Sequence, residues 1–399
     1  MILRKRLDLC KNQMSEFPME RTRKKIALLV ETSHGSGREI LRGIARYARQ
    51  SGDWQLFHGA GGLNDAFPDW MVNWDGDAVI ARVQNQETLS NLEKLDIPVV
   101  DVLGVCENRF PLVHVDDCAI ATLVANHFRS RDFRHFAFYG IAGENWSERR
   151  ATSFRESCAD AVSFHLHETP RKSGGRGTTA FRELQEWVRG LPRPVGMMVA
   201  SDQRGLELLE ACLSEGISVP EEIAVIGVDN DTPLCEIADP PLSSVRGGHF
   251  NVGLQAAHLV DLLLGGEKPP RSTILIPPNG IIERESSQIH AIDDPVIATS
   301  VRFIREHLAD SITNDSIARA VGLSRTLLQK RFREATGQSI REFILARRVE
   351  RAISLIETTD ITLADVAWRC GFKHQEYLGQ VIKKATGETP GMLRKAAQG

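Results

Sequence analysis

The chain has 399 residues, enough for two or three domains with ordinary cores, and a composition (42% hydrophobic, 25% charged, 6% aromatic) that excludes disordered and fibrous classes. No run approaches about 18 consecutive apolar residues, so no membrane span or membrane partner is expected. The net charge of −3 conceals a gradient: 8 Lys/Arg stand against 3 Asp/Glu in residues 1–25, 24 against 36 in 26–292, and 17 against 13 in 293–399. An acidic body with a basic end suits a protein that meets a polyanion at one end only.

Residues 1–24 alternate charge without apolar periodicity and read as a flexible basic tail, with Met14 and Met19 as alternative starts. They lack the apolar run and small-residue cleavage site of a secretory signal, so a cytoplasmic, nucleoid-associated location is expected. The seven cysteines (Cys10, Cys106, Cys118, Cys158, Cys212, Cys235 and Cys370) include no CxxC pair. That spacing suits neither a zinc site nor a disulfide framework, so they read as small buried hydrophobes. No metal and no cofactor is expected.

From residue 25 to 287 short apolar runs alternate with helical patterns. The runs 26–30, 55–57, 78–81, 99–102, 136–139, 196–200 and 223–228 predict buried strands. Amphipathic helices are predicted over 38–50, 119–129, 150–161, 179–190, 203–215 and 252–263. This alternation implies parallel sheets with helices on both faces, and over 260 residues it suits two Rossmann-like lobes better than one. Such sheets bind ligands beyond the carboxyl ends of their strands. The candidate positions are therefore Glu31 to His34 with Arg38, Ser201 to Arg204, Asp229 to Asp231, and Arg150 at a helix start.

Within that region Val115-Asp116-Asp117, Arg150 with Phe154, Ala200-Ser201-Asp202, Val225 to Asn230 and Leu242 to Val245 are similar to the sensor domain of the LacI/GalR family. The resemblance implies a two-lobed, type I periplasmic-binding-protein-like fold with a small molecule in the interlobe cleft. Arg38, Arg150, Asp202, Arg204, Asp229 and Asn230 are the expected ligand contacts, since carboxylates, amides and guanidinium groups pair with sugar hydroxyls. Trp146 and Phe57 are aromatic enough to stack on a sugar ring, although core packing is the commoner role. One departure stands out: LacI-type chains open with a helix-turn-helix, and none is legible here.

Residues 288–399 read as an all-α domain. In 312–337 Ala318 is small enough for two helices to cross, Gly322 supplies a turn, Ser324 can cap the next helix, and Leu328 and Phe332 give it an inner face. Arg325, Thr326, Gln329, Lys330 and Arg333 then remain outside, as on a recognition helix. Some 50 residues later Ala367, Gly371, Phe372 and Leu378 repeat the pattern and leave Lys373, His374, Gln375, Glu376 and Gln380 outside. The stretch 339–357 between them predicts one long helix, with Arg347, Arg348 and Arg351 on its solvated face.

The pair resembles the double helix-turn-helix domain of the AraC family, with Ile382 and Gln380 departing from its usual aromatic and basic residues. The resemblance implies base reading by Thr326, Gln329, Lys330, Gln375, Glu376 and Gln380. Arg325 and Arg333 suit phosphates, which position without specifying. Sensor and reader in this order resemble the bacterial xylose operon regulators. That implies an activator binding double-stranded DNA and a pentose, acting as a homodimer, with RNA polymerase as a further partner. A repressor or activator answering to a different small ligand, another sugar or a nucleoside, is the alternative. Asp202 and Asp229 could be imagined as a glycosidase-like pair, but no GxSxG, P-loop or HExxH motif accompanies them, so no catalytic residue is expected. A transport protein of the same sensor fold would need export and no reader.

Overall fold

The computed structural model describes residues 23–59, 65–106, 109–170, 176–267 and 272–398. The tail therefore lies outside the described residues, except Arg23 and Lys24. In chain order the first part forms β1 (Lys24–Leu29), α1 (Gly35–Ser51), β2 (Trp54–His58), α2 (Asp69–Val72), β3 (Ala78–Ala81), α3 (Gln86–Leu92), β4 (Val99–Asp101) and β5 (Leu112–Val115). There follow α4 (Asp117–Arg129), β6 (His135–Ile141), α5 (Asn145–Ser157), β7 (Ser163–Thr169), α6 (Thr179–Arg189), β8 (Val195–Val199), α7 (Asp202–Ser214) and β9 (Ile223–Val228). Then come α8 (Thr232–Ile237), β10 (Ser243–Val245), α9 (His249–Leu264), β11 (Thr273–Ile276) and β12 (Ile281–Ile282).

These strands make two six-stranded sheets, β11-β5-β4-β3-β1-β2 in an N-lobe and β12-β10-β9-β8-β6-β7 in a C-lobe. The chain crosses between lobes after β5, after β10 and between β11 and β12, so each lobe is built from separated segments. All pairs are parallel except β10 with β12. Strands buried on both faces read as continuous apolar runs, and β9 (IAVIGV) is buried at every position. The expected two-lobed periplasmic-binding-protein-like architecture is the one observed.

Five strands escape the sequence pattern, and the reasons differ. β7 (SFHLHET) lies at a sheet edge and is mostly half-buried, so it needs no continuous apolar run. β5 and β10 are interrupted by polar residues (His114; Ser243 and Ser244), β12 has two residues, and β11 lies mostly exposed at a sheet edge. Cys158, Cys212, Cys235 and Cys370 are buried as expected, but Cys118 is exposed on α4, where Ser153 Oγ donates to its sulfur.

The helical part comprises α10 (Pro295–Glu306), α11 (Asn314–Ala320), α12 (Arg325–Thr336), α13 (Ile340–Thr358), α14 (Leu363–Arg369), α15 (Gln375–Thr386) and α16 (Pro390–Gln398). Two separate cores form. Ile317, Ala318, Leu328, Phe332 and Ile340 pack with α10; Val349, Ala352, Ile356, Val366, Ala367, Leu378 and Ile382 make the second. Helix α13 gives its first turn to one core and its remainder to the other, which fixes the separation of the two units. Arg348 is a correction to its expected solvated role: it donates to Leu308 O at 3.0 Å and Asp310 O at 2.7 Å, tying α13 to the loop after α10.

Candidate functional site

The carboxyl ends of both sheets face each other across the interlobe cleft. In the N-lobe, Glu31 follows β1 and Arg82 follows β3; Arg82 Nη1 donates to Glu31 Oε1 at 2.7 Å, with both side chains buried. Asp101 ends β4 and accepts from the Val83, Leu103 and Gly104 amides, which braces two N-lobe loops. His114 in β5 and His249 at the start of α9 complete this wall, each 8% exposed. His249 Nε2 lies 3.3 Å from Asp229 Oδ1 of the C-lobe.

Four of these residues and Asn145 share one property. Glu31 Oε2, Arg82 Nε, His114 Nε2, His249 Nδ1 and Asn145 Oδ1 are buried and have no hydrogen-bond partner among the described residues. For His114 the nearest carboxylate is Asp117, at 3.6 Å. A buried polar atom left unsatisfied costs about 1–3 kcal/mol, so several in one cleft make it the candidate place for a polar ligand. Burial first, and the charges of Arg82, His114 and Arg150 after it, outweigh Asp229 and push His249 down to about 4. Neutral at pH 7, with Nε2–H toward Asp229, its ring presents Nδ1 as an acceptor. One guanidinium donor beside carboxylate and imidazole acceptors matches hydroxyl groups, which both donate and accept.

Arg150 is buried at the C-lobe side of the cleft. Its Nε donates to Asp117 Oδ1 at 2.9 Å, its Nη1 to Ala200 O at 2.6 Å, and its guanidinium lies 5.0 Å from the Trp146 ring. Trp146 thus stacks on Arg150, and Phe57 packs edge-on to Trp74. Burial pushes the Asp117 carboxyl up, but Arg150, His114 and Arg149 outweigh it and hold it below the usual carboxylate range.

The loop after β9 carries Asp229 and Asn230 at φ +103° and +50°, a backbone that costs about 1–3 kcal/mol per residue unless its surroundings hold it. Asp202 is what holds it. Its Oδ2 accepts from the Asp231 amide at 2.7 Å and its Oδ1 from Ser244 Oγ at 2.5 Å. Its carboxyl oxygens are thus engaged inside the C-lobe, and the expected ligand contact gives way to a brace. Burial first, then the charge of Asp229, raise the Asp202 carboxyl to about 8. Arg204 is likewise engaged internally, with Glu207, Tyr139 Oη, Thr169 O and Pro170 O, and is 3% exposed. Arg38 reaches across the cleft to Asp231, and Asn230 Oδ1 accepts from Arg284 at 3.0 Å.

The second site lies at the other end of the chain. Ser324 Oγ caps α12, and Gly322 (φ +68°) makes the turn before it. With Leu328 and Phe332 turned inward, Arg325, Thr326, Gln329, Lys330 and Arg333 are all exposed. On α15, where Leu378 and Ile382 turn inward, His374, Gln375, Glu376 and Gln380 are exposed too. Two helices of equal length, each with an exposed polar face, stand on either side of α13 in the chain. Among the described residues no group of His, Cys, Asp and Glu could hold a metal ion, and no helix is long and apolar enough to cross a membrane.

Three family models match: XylR N-terminal domain over residues 25–121, periplasmic binding protein-like domain over 125–287, and helix-turn-helix domain over 317–396. The xylose operon regulatory protein of Escherichia coli (strain K12) is 31% identical over 384 residues, covering 92% of this chain and 96% of that protein. This chain belongs to the xylose operon regulatory protein family. The Haemophilus influenzae member is 28% identical over 383 residues, 93% of this chain and 98% of that one. A solved structure described as the xylose-binding transcription activator xylR superposes with a TM-score of 0.81 at 29% identity, over 94% of this chain and 98% of that one.

Membership makes the chain a DNA-binding transcription regulator. In this chain Arg82, His114, Asn145 and His249 are not among the positions expected from the sequence alone. The rule that picked out Asp229 would have found Arg82, which follows a correctly placed strand. His114 itself interrupts the apolar run of its strand, and His249 opens a helix predicted to begin three residues later.

Proposed function

We propose that this protein binds D-xylose or a related pentose in the interlobe cleft and activates sugar-catabolic genes as a DNA-bound homodimer that engages RNA polymerase. The observation that carries the reading is the set of unpartnered buried atoms of Glu31, Arg82, His114 and His249, placed opposite Asp229 and Arg150. The relatives' role in regulating a xylose operon supports the choice of sugar. The pentose hydroxyls donate to Glu31 Oε2, His249 Nδ1 and Asp229, and accept from Arg82 Nε. Asn230 shapes the loop beside them.

Transmission to DNA runs through the C-lobe. Arg305 of α10 donates from Nε and Nη2 to Glu221 at 3.0 and 3.1 Å, and Arg302 donates to Ser218 at 3.0 Å. These partners precede β9, at the end of the sheet away from the cleft. Asp294 then caps α10 and also accepts from Arg331 of α12 at 2.8 and 2.6 Å. Lobe closure therefore moves the C-lobe, α10 and the first recognition helix together. Thr326, Gln329, Lys330, Gln375, Glu376 and Gln380 read bases; Arg325, Arg333 and His374 hold phosphates.

The test is thermal unfolding and calorimetric titration of the full chain with D-xylose, D-ribose, L-arabinose, D-glucose and adenosine. A ligand selective for the native state raises the melting temperature with concentration. The expected result is a response to a pentose that Arg82→Ala and His249→Leu abolish. A response to adenosine alone moves the sensor to nucleosides, and a pentose response indifferent to both variants overturns the site.

A further inference from the structure

Helix α1 begins without a cap of its own: His34 at its N-cap makes no side-chain bond to the first turn. The cap comes from the opposite lobe. Asp231, on the C-lobe loop before α8, accepts from the Gly35 amide at 3.0 Å through Oδ2. The same carboxylate receives Arg38 Nη2 at 3.0 and 2.9 Å through its two oxygens. Its side chain is 10% exposed, whereas that of Arg38 is 44% exposed. A Cβ at Gly35 would meet Asp231 Cγ at 2.9 Å, so the close approach needs glycine there. Beside it Gln203 Nε2 lies 3.2 Å from His34 Nδ1, another bond across the cleft.

We infer that Asp231 is an interlobe latch: it caps α1 in trans and pairs with Arg38 only when the lobes are closed, and so sets the closed population before any sugar arrives. Opening the cleft strips a cap and an ion pair at once, leaving the Gly35 amide and Arg38 Nη2 to water while Arg38 Nη1 stays on Thr32 O. The carboxylate suits that place because the amino end of a 17-residue helix and a guanidinium both favour an anion. Asp231 is held ready by Asp202, which accepts from its amide and fixes the turn that aims it. A protein whose binding-competent state is only partly populated binds its ligand more weakly by that fraction. Asp231 and Arg38 are thereby positioning residues: they tune sugar affinity without touching sugar.

The affinity arm of the test rests on the pentose reading; the ligand-free arm does not. Full-length protein carries a fluorophore pair introduced through unnatural amino acids at positions 87 and 186, both exposed and one on each lobe. In the absence of sugar, Asp231→Ala, Arg38→Ala and Gly35→Ala should each shift the interlobe distance distribution toward open, with Asp231→Asn intermediate because its amide oxygen still caps Gly35. D-xylose affinity should fall on the order of tenfold in Asp231→Ala, the equivalent of about 1.4 kcal/mol. The Arg38→Ala/Asp231→Ala double variant should be little worse than either single one. Weakened xylose binding with an unchanged ligand-free distribution would make Asp231 a sugar contact and overturn the latch. Opening in the variants while wild-type protein ignores xylose would keep the latch and overturn the pentose reading.

Discussion

Two buried titratable groups at the cleft push stability in opposite directions with pH. His249 sits at about 4, chiefly through burial, against about 6.5 in an unfolded chain. Between those values the unfolded state holds more protons, so stability falls as pH drops through the window, by up to about 3 kcal/mol. Melting curves from pH 7 to 4 should show this loss, and His249→Asn should flatten it. An unchanged slope in the variant would mean that His249 is not the group responsible. Asp202 is the reverse case, raised to about 8 by burial and then by Asp229, against about 3.9 unfolded. The native state holds the extra proton across that window, so its contribution is lost as pH rises toward 8. Asp202→Asn, which mimics the protonated carboxyl, should therefore gain on wild type between about pH 4 and 8 and hold that gain above it; a constant difference would sink the assignment.

At the scale of elements, the N-lobe depends on α1 lying almost backbone to backbone against α9. A Cβ on Gly43 would stand 2.1 Å from Phe250 O, and one on Gly253 2.1 Å from Ile40 O. Carbonyls in helices cannot retreat as a side-chain tip can. Gly43→Ala must push the helices apart, and a melting temperature several degrees lower is expected, in line with the 1–3 kcal/mol typical of overpacking. Gly379, inside α15, has nothing within 4 Å of its missing Cβ. Gly379→Ala should leave stability unchanged or raise it by about 0.5–1 kcal/mol, since alanine is the better helix former. Equal effects from the two substitutions would contradict the close crossing.

For the whole molecule the question is how a cleft in the sensor governs helices at the chain's other end. If the C-lobe carries the reader, Arg305→Ala should leave xylose affinity within about twofold while bringing DNA affinity with and without xylose toward equality. A preserved ratio in electrophoretic or anisotropy titrations would place the coupling elsewhere. If the reader divides its labour as proposed, salt reveals it. Gln329→Ala should relax preference at one base pair, costing about 1–3 kcal/mol on the preferred sequence, whereas Arg333→Ala should weaken all sequences alike and reduce the salt slope by about one. Identical behaviour of the two variants would erase the distinction between reading and positioning.

Periodicity and turn chemistry alone determined the two-lobed α/β body, the order of its long strands and helices, and the paired helix-turn-helix units. Those features follow from local rules: β9 must be apolar throughout because both its faces are covered, and Gly322 and Gly371 mark turns that need positive φ. Arg325, Gln329 and Arg333 were legible because a helix with two inward residues leaves the rest outside. The cleft was legible only in outline. Asp229 and Arg150 announce themselves by position, but Asp202 and Arg204 share that position and turn inward, since a side chain's partners come from segments far away in sequence. Asp231 reaches Gly35 across 196 residues and Arg82 is paired with Glu31 across 51. Only the tertiary structure decides which polar groups are left without a partner, because that depends on what the rest of the chain has already satisfied.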